Sequence, residues 1–266
     1  MLRFFVFFVV MWWVFGVGAS PSFSATYFIY DQYGGTWHDA NKTAANTEDD
    51  LMCWAAAASN ILAWGHWGTA VYNTTDLIFK HFQDHWTDAG GYPSWAWKWW
   101  FDGSPPPYNT ASHPDVPGGG KFYPTLNFYD YFVYAAGGNV MASVDNLLHQ
   151  GKGVTLVISN GGGSHAVTAW GYSYSAPGSY TSIYLTDSDD GYLGLREYPL
   201  IWQSTAWYLG GGYSGWKIGS VQALGYLPVQ TPIAPSWLLV GTGLCSLWLL
   251  RRRRRPEKLQ FPPLEG

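Results

Sequence analysis

Cysteine and charge are what this chain has least of. Only Cys53 and Cys245 occur in 266 residues. Two cysteines cannot build the multi-bridge framework of a disulfide-stapled secreted domain. Charged residues make up 12% of the chain and the formal net charge is -4, so there is no basic footprint for nucleic acid. What the chain has instead is apolar and aromatic. Hydrophobic residues account for 47% and aromatics for 19%, including 17 tryptophans, more than a core requires. The length suits one domain with extra segments at its ends.

Both ends read as such segments. Arg3 precedes an apolar run over residues 4–17, followed by the small residues Gly18, Ala19 and Ser20. This predicts a signal peptide over 1–25, cleaved after Ala19 or close to Ala25. The alternative is an uncleaved anchor, for which the run is short. At the other end, 230–255 holds Pro232 and Pro235, an apolar stretch over 236–250, and five arginines from Arg251 to Arg255. Such a segment inserts with its arginines on the cytoplasmic side, which puts the body, 26–229, outside the cytoplasm. A short tail, 256–266, follows. The arrangement resembles PEP-CTERM sorting tails, found in Gram-negative bacteria that make exopolysaccharide, although its proline motif departs from Pro-Glu-Pro. That resemblance implies an exported, envelope-located protein, with a sorting enzyme as one partner.

Cys245 sits inside the terminal apolar segment, so Cys53 is the one cysteine of the body. Exported proteins use cysteine in pairs, and a lone thiol there calls for a function. Residues 49–60 read DDLMCWAAAASN, an alanine-rich helix capped by Asp49 or Asp50 and stopped near Gly65. Cys53 then falls in the first turn, where the helix dipole favours a thiolate. The plainer reading is a small buried core cysteine.

Along the body, 26–39 reads as extended structure with a turn at Gly34 and Gly35, and 73–86 as a helix. His81 and His85 share a face of that helix as metal ligands could, but no third ligand and no glutamate base stand at a suitable spacing. Residues 92–101 (YPSWAWKWWF) predict a short helix whose tryptophans pack a core or, alternatively, line a groove. A long Pro- and Gly-rich loop follows, then helices over 126–136 and 140–150. Beyond Gly151 the pattern turns to strands: 153–159, the run after His165, 182–186, 195–200 and 217–227.

A hairpin centred near Ala176 places His165 and Asp187 opposite each other, each eleven residues from the centre. An imidazole beside a carboxylate is held in one tautomer and stabilised when protonated. His165 could equally be structural, and Asp187 to Asp190 an acidic turn or a weak calcium loop.

A helix-start cysteine with later His and Asp is the order of papain-like cysteine peptidases. Trp37-His38-Asp39, Lys42-Thr43, DDLMCWAAAASNILAW, SHAVTAWGY, SIYLTDSDD and VQALGYL together resemble the IdeS/Mac immunoglobulin-degrading cysteine endopeptidases, from about Trp37 to Leu227. The middle, about 68–152, matches poorly, so immunoglobulin specificity is not carried over. The resemblance implies a papain-like α+β fold, with an N-terminal helical part bearing the cysteine helix and a C-terminal antiparallel sheet bearing His and Asp. It further implies Cys53 as nucleophile, His165 as general base and acid, Asp187 as orienting acid and Asp189 as a supporting aspartate. Lys42 would share the oxyanion hole with the Cys53 N–H. The implied activity is peptide-bond cleavage in a protein or peptide substrate, with no metal or organic cofactor. Two alternatives are a transamidase or amidase acting on envelope material, and a non-catalytic matrix protein binding polysaccharide through Trp97, Trp99 and Trp100.

Overall fold

The computed structural model describes residues 24–43, 48–106, 110–189 and 192–227. Most of the expected signal peptide and the whole C-terminal segment and tail lie outside the described residues. Among those described, no helix is long and apolar enough to cross a membrane. In chain order the helices are α1 (Ile29–Tyr33), α2 (Cys53–Trp64), α3 (Thr75–His85), α4 (Pro93–Asp102) and α5 (Val140–His149). The strands are β1 (Ala25–Phe28), β2 (Phe132–Ala136), β3 (Lys152–Ser159), β4 (Ser164–Ala176), β5 (Ser179–Thr186), β6 (Arg196–Gln203), β7 (Ala206–Leu209) and β8 (Lys217–Gly225).

The strands overturn the papain-like α+β expectation. β3, β4, β5, β6, β7 and β8 pair antiparallel around a full circuit, because β4 bonds to β5 as well as to β3. The result is a closed six-stranded barrel rather than a C-terminal sheet beside a helical part. β1 adds to β4, and β2 adds to β8. Closure leaves none of the six barrel strands with an open edge of its own, and β1 and β2 are the strands paired on one side only among those described. The 13-residue β4 makes closure possible. Its register shifts at Ala169/Gly171, Ser173/Tyr174 and Tyr174/Ala176 bend it so that it serves β3, β1 and β5 in turn. Gly171 is required there, since a Cβ would lie 2.2 Å from the Tyr27 carbonyl oxygen.

α2 is buried almost all round, with Trp54, Ala55 to Ala58, Ile61 and Leu62 inaccessible or nearly so. Alanines let the neighbours approach closely, so the helix lies between α3 and α4 on one side and β3 and β4 on the other. Indole N–H groups tie this layer together. Trp54 donates to the Ala89 carbonyl at 2.9 Å, Trp97 to Ala58 at 3.1 Å, Trp100 to Trp67 at 2.8 Å and Trp67 to Gly225 at 2.7 Å. Trp97, Trp99 and Trp100 are therefore core residues, which leaves the polysaccharide-surface alternative without the side chains it relied on.

Other local expectations change as well. The N-cap of α2 is Met52, not Asp49 or Asp50; the Asp49 carboxylate is buried and accepts from the Thr43 N–H and the Gln83 amide. Residues 126–136 hold a 3₁₀ turn (Phe128–Asp130) and β2 instead of a helix. Val133 and Tyr134 suit a strand, and β8 supplies the ladder partner that the local sequence cannot show. Ile29–Tyr33 turns as a helix inside the stretch expected to be extended. β7 has no clear signal of its own.

Candidate active site

Cys53 is the first residue of α2 and is partly exposed. The Met52 N–H is bonded to the Asp49 carbonyl, and the Ala55 and Ala56 N–H groups to the Met52 carbonyl. Helix geometry leaves the N–H groups of Cys53 and Trp54 without carbonyls in the helix, pointing out at its start. His165 is the second residue of β4 and pairs with Ile158 of β3. Asp187 directly follows β5.

The structure brings His165 and Asp187 together, by a different register from the one the hairpin count gave. Thr168 faces Thr186 and Tyr172 faces Ile183, so the strands are offset by two to three positions from a centre at Ala176. The two side chains meet on the diagonal: His165 Nε2 lies 2.6 Å from Asp187 Oδ1. Asp187 is buried, and its oxygens also receive the Asp189 N–H at 3.0 Å and the Tyr213 hydroxyl. The Tyr213 ring stacks 5.9 Å from the His165 ring, on the wall of the cleft. Sequence reasoning missed Tyr213; it lies in a Gly-rich turn, 26 residues beyond Asp187, with no local motif to mark it.

Lys42 and Asp189 complete the group. The Lys42 Nζ pairs with Asp189 Oδ1 at 2.7 Å and donates to the Asp50 carbonyl, while the Lys42 N–H donates to the Ser188 carbonyl at 3.1 Å. An ammonium has three N–H bonds, so one remains for the cleft that Lys42 shares with Cys53. Asp189 Oδ2 lies 3.7 Å from His165 Nδ1.

Burial by itself would depress the basicity of His165. The hydrogen bond to Asp187, the charge of that carboxylate and the nearness of the Cys53 sulfur prevail and push its pKa up to about 10. With Nε2 committed to Asp187, Nδ1 is the nitrogen left for the thiol. Asp187 feels burial in the opposite direction, yet bonds to His165, Tyr213 and the Asp189 N–H hold its carboxyl below the usual carboxylate range. Burial and the bond to Asp187 keep the Tyr213 phenol protonated.

Cys53, His165, Lys42, Asp189 and Tyr213 line a cleft of about 500 Å³, together with Leu51, Gly90, Gly91, Tyr92 and Trp216. A larger cavity of about 1130 Å³ lies under the Pro-rich loop around Pro105 and Pro117. Among the described residues it places no cysteine beside a histidine, as the smaller cleft does. His165, Asp187 and Asp189 also offer ligand atoms within 4.8 Å of one another. A cation there would displace the His165–Asp187 proton and compete with the Lys42 ammonium, so the group reads as a proton-handling set. His81 and His85, in contrast, serve packing. His81 Nε2 meets the Gly119 carbonyl at 2.6 Å, His85 Nδ1 meets the His81 carbonyl at 2.9 Å, and both rings lie against Trp99.

No protein-family model matches this chain, and no curated protein matches it.

Proposed function

We propose that this chain is a cysteine endopeptidase that cleaves peptide bonds through an acyl-enzyme on Cys53. The observation that carries the reading is the buried His165–Asp187 pair, with His165 lining the same cleft as the sole cysteine of the described residues. A ring protonated at neutral pH is the acid half of a thiolate–imidazolium pair. The Cys53 sulfur attacks the substrate carbonyl carbon and a C–S bond forms. The oxyanion lies against the N–H groups at the start of α2 and the free N–H of Lys42. His165 gives its proton to the leaving amine as the C–N bond breaks. It then takes a proton from the water that opens the thioester. Asp187 holds the ring in place throughout, and Asp189 holds Lys42.

The resemblance to the IdeS/Mac endopeptidases rests on these same residues and belongs to this proposal for the chemistry, not for the fold. The end segments extend it: an exported protein, held at the envelope by its C-terminal apolar stretch and offered there to a sorting enzyme. Iodoacetamide labelling of the full-length chain from pH 4 to 9 tests the core of the reading. Reading the modification at Cys53 by peptide mass spectrometry keeps Cys245 from contributing. Fast labelling well below pH 8, lost in His165→Ala, is the expected result. A rate that follows an ordinary thiol of pKa about 8.5, unchanged by His165→Ala, refutes it.

A further inference from the structure

Asn60 lies on α2, two helical turns beyond Cys53 and about 10 Å from it along the axis. Its side chain is buried, and both amide donors and the amide oxygen are hydrogen-bonded. Oδ1 accepts the Ala40 N–H at 2.8 Å, while Nδ2 donates to Thr168 Oγ1 at 3.0 Å and Thr186 Oγ1 at 3.4 Å. The Ala40 group can only donate, so the orientation of the amide is fixed by chemistry.

The four segments joined here are the ones that carry the site. Asn60 shares α2 with Cys53. Thr168 stands three residues after His165 on β4, Thr186 immediately precedes Asp187, and Ala40 is two residues before Lys42. Thr168 and Thr186 also face each other across the β4–β5 ladder. That ladder shifts register between Ala169 and Gly171, just beyond the pair, so the long hairpin does not fix its own alignment at this end. The surrounding bonds close the network. Thr186 Oγ1 donates to the His38 carbonyl and accepts from the Trp170 indole, both at 2.8 Å.

We propose that Asn60 is a positioning residue for the reactive pair. By bonding both threonines at once, it sets the register at which β4 presents His165 and β5 presents Asp187 to the start of α2. This rests on the cysteine-nucleophile reading above and adds the device that keeps nucleophile and base in reach.

The test uses full-length chains carrying Asn60→Leu, Asn60→Asp or Thr186→Val. Cys53 labelling is followed from pH 4 to 9, and the thermal unfolding midpoint is measured for each variant. At a temperature well below its midpoint, Asn60→Leu is expected to lose at least tenfold in labelling rate at pH 6 and to take on the profile of an ordinary thiol. Asn60→Asp keeps acceptor oxygens for Ala40 and for rotated threonine hydroxyls, and should regain part of that loss. Thr186→Val keeps the branched shape and removes the Asn60 bond to β5 together with the bonds to His38 and Trp170, so it serves if the leucine variant does not fold. A lowered midpoint with an unaltered pH profile, in whichever of these variants folds, overturns the proposal and leaves Asn60 a stabilising residue only. A wild-type profile that already matches an ordinary thiol overturns the nucleophile reading as well, and so distinguishes the two failures.

Discussion

Replacing Asp187 with asparagine changes two things at a point where three donors converge. The His165 Nε2–H, the Asp189 N–H and the Tyr213 hydroxyl share two carboxylate oxygens, whereas an amide offers one oxygen and brings two more donors. At least one buried donor must then lose its acceptor, and the charge that supports the protonated ring is gone. A hydrogen bond to a charged group contributes about 1.5–3 kcal/mol, which at about 1.4 kcal/mol per pH unit lowers the His165 pKa by roughly one to two units. The wild-type ring titrates at about 10, raised from 6.5. Because the folded value is the higher one, the stability drawn from the charged ring is complete below about 6.5 and is lost as pH rises through about 10. Asp187→Asn should shrink that window from above. In an NMR titration of the His165 ring run from pH 5 to 11, its midpoint moves down by about one to two units, and the unfolding midpoint begins to fall at correspondingly lower pH. Coincident ring titrations in wild type and variant would refute the assignment of Asp187 as the partner that holds His165 protonated.

Three further outcomes follow from single contacts. Lys42→Ala removes the oxyanion donor proposed above and leaves the Cys53 and His165 side chains in place. Peptide hydrolysis should drop by roughly 10²-fold in kcat while Cys53 labelling is retained, and an equal fall in both would show that Lys42 serves the nucleophile instead. Tyr213→Phe keeps the ring on His165 and deletes the donor to Asp187, so the Asp187 pKa rises; the stability from this carboxylate, present above its unfolded pKa and lost as pH falls, is then lost at higher pH. Acid titration followed by circular dichroism reads this directly, and an unmoved acid midpoint counts against the bond. Gly171→Ala puts a Cβ 2.2 Å from the Tyr27 carbonyl and 2.5 Å from the Phe28 ring, which should destabilise by about 1–3 kcal/mol in denaturant titration as β1 is pushed off β4. A neutral result would mean that β1 contributes nothing at that edge.

Much of the site was legible in the chain. A lone cysteine at the start of an alanine-rich run, a histidine opening an apolar strand and an aspartate closing the next are local patterns, and each element formed where its residues called for it. α5 and β3 were legible for the same reason, since apolar spacing and Gly151 mark them without outside help. β2 was not. Phe132–Ala136 carries too short an apolar run to choose between helix and strand, and β8, 84 or more residues later, made the choice. The N-cap of α2 was missed because Asp49, a good cap in isolation, is drawn inward by Thr43 and Gln83.

The sequence alone determined which residue types are available for chemistry and the order in which helix and strands present them. Those properties depend on neighbours a few positions apart, where side-chain spacing and helix-end electrostatics act. Tertiary structure decided the architecture and the pairing. Bulges in β4 let it bond to β3, β1 and β5 and close six strands into a barrel, which no period of two along the chain can announce. They also offset the hairpin, so that His165 reaches Asp187 diagonally rather than across. Only in that arrangement does Tyr213 bond Asp187, Lys42 pair with Asp189, and Asn60 join the strands that carry His165 and Asp187. Contacts at such separations are set by closure and packing, and folding alone brings them together.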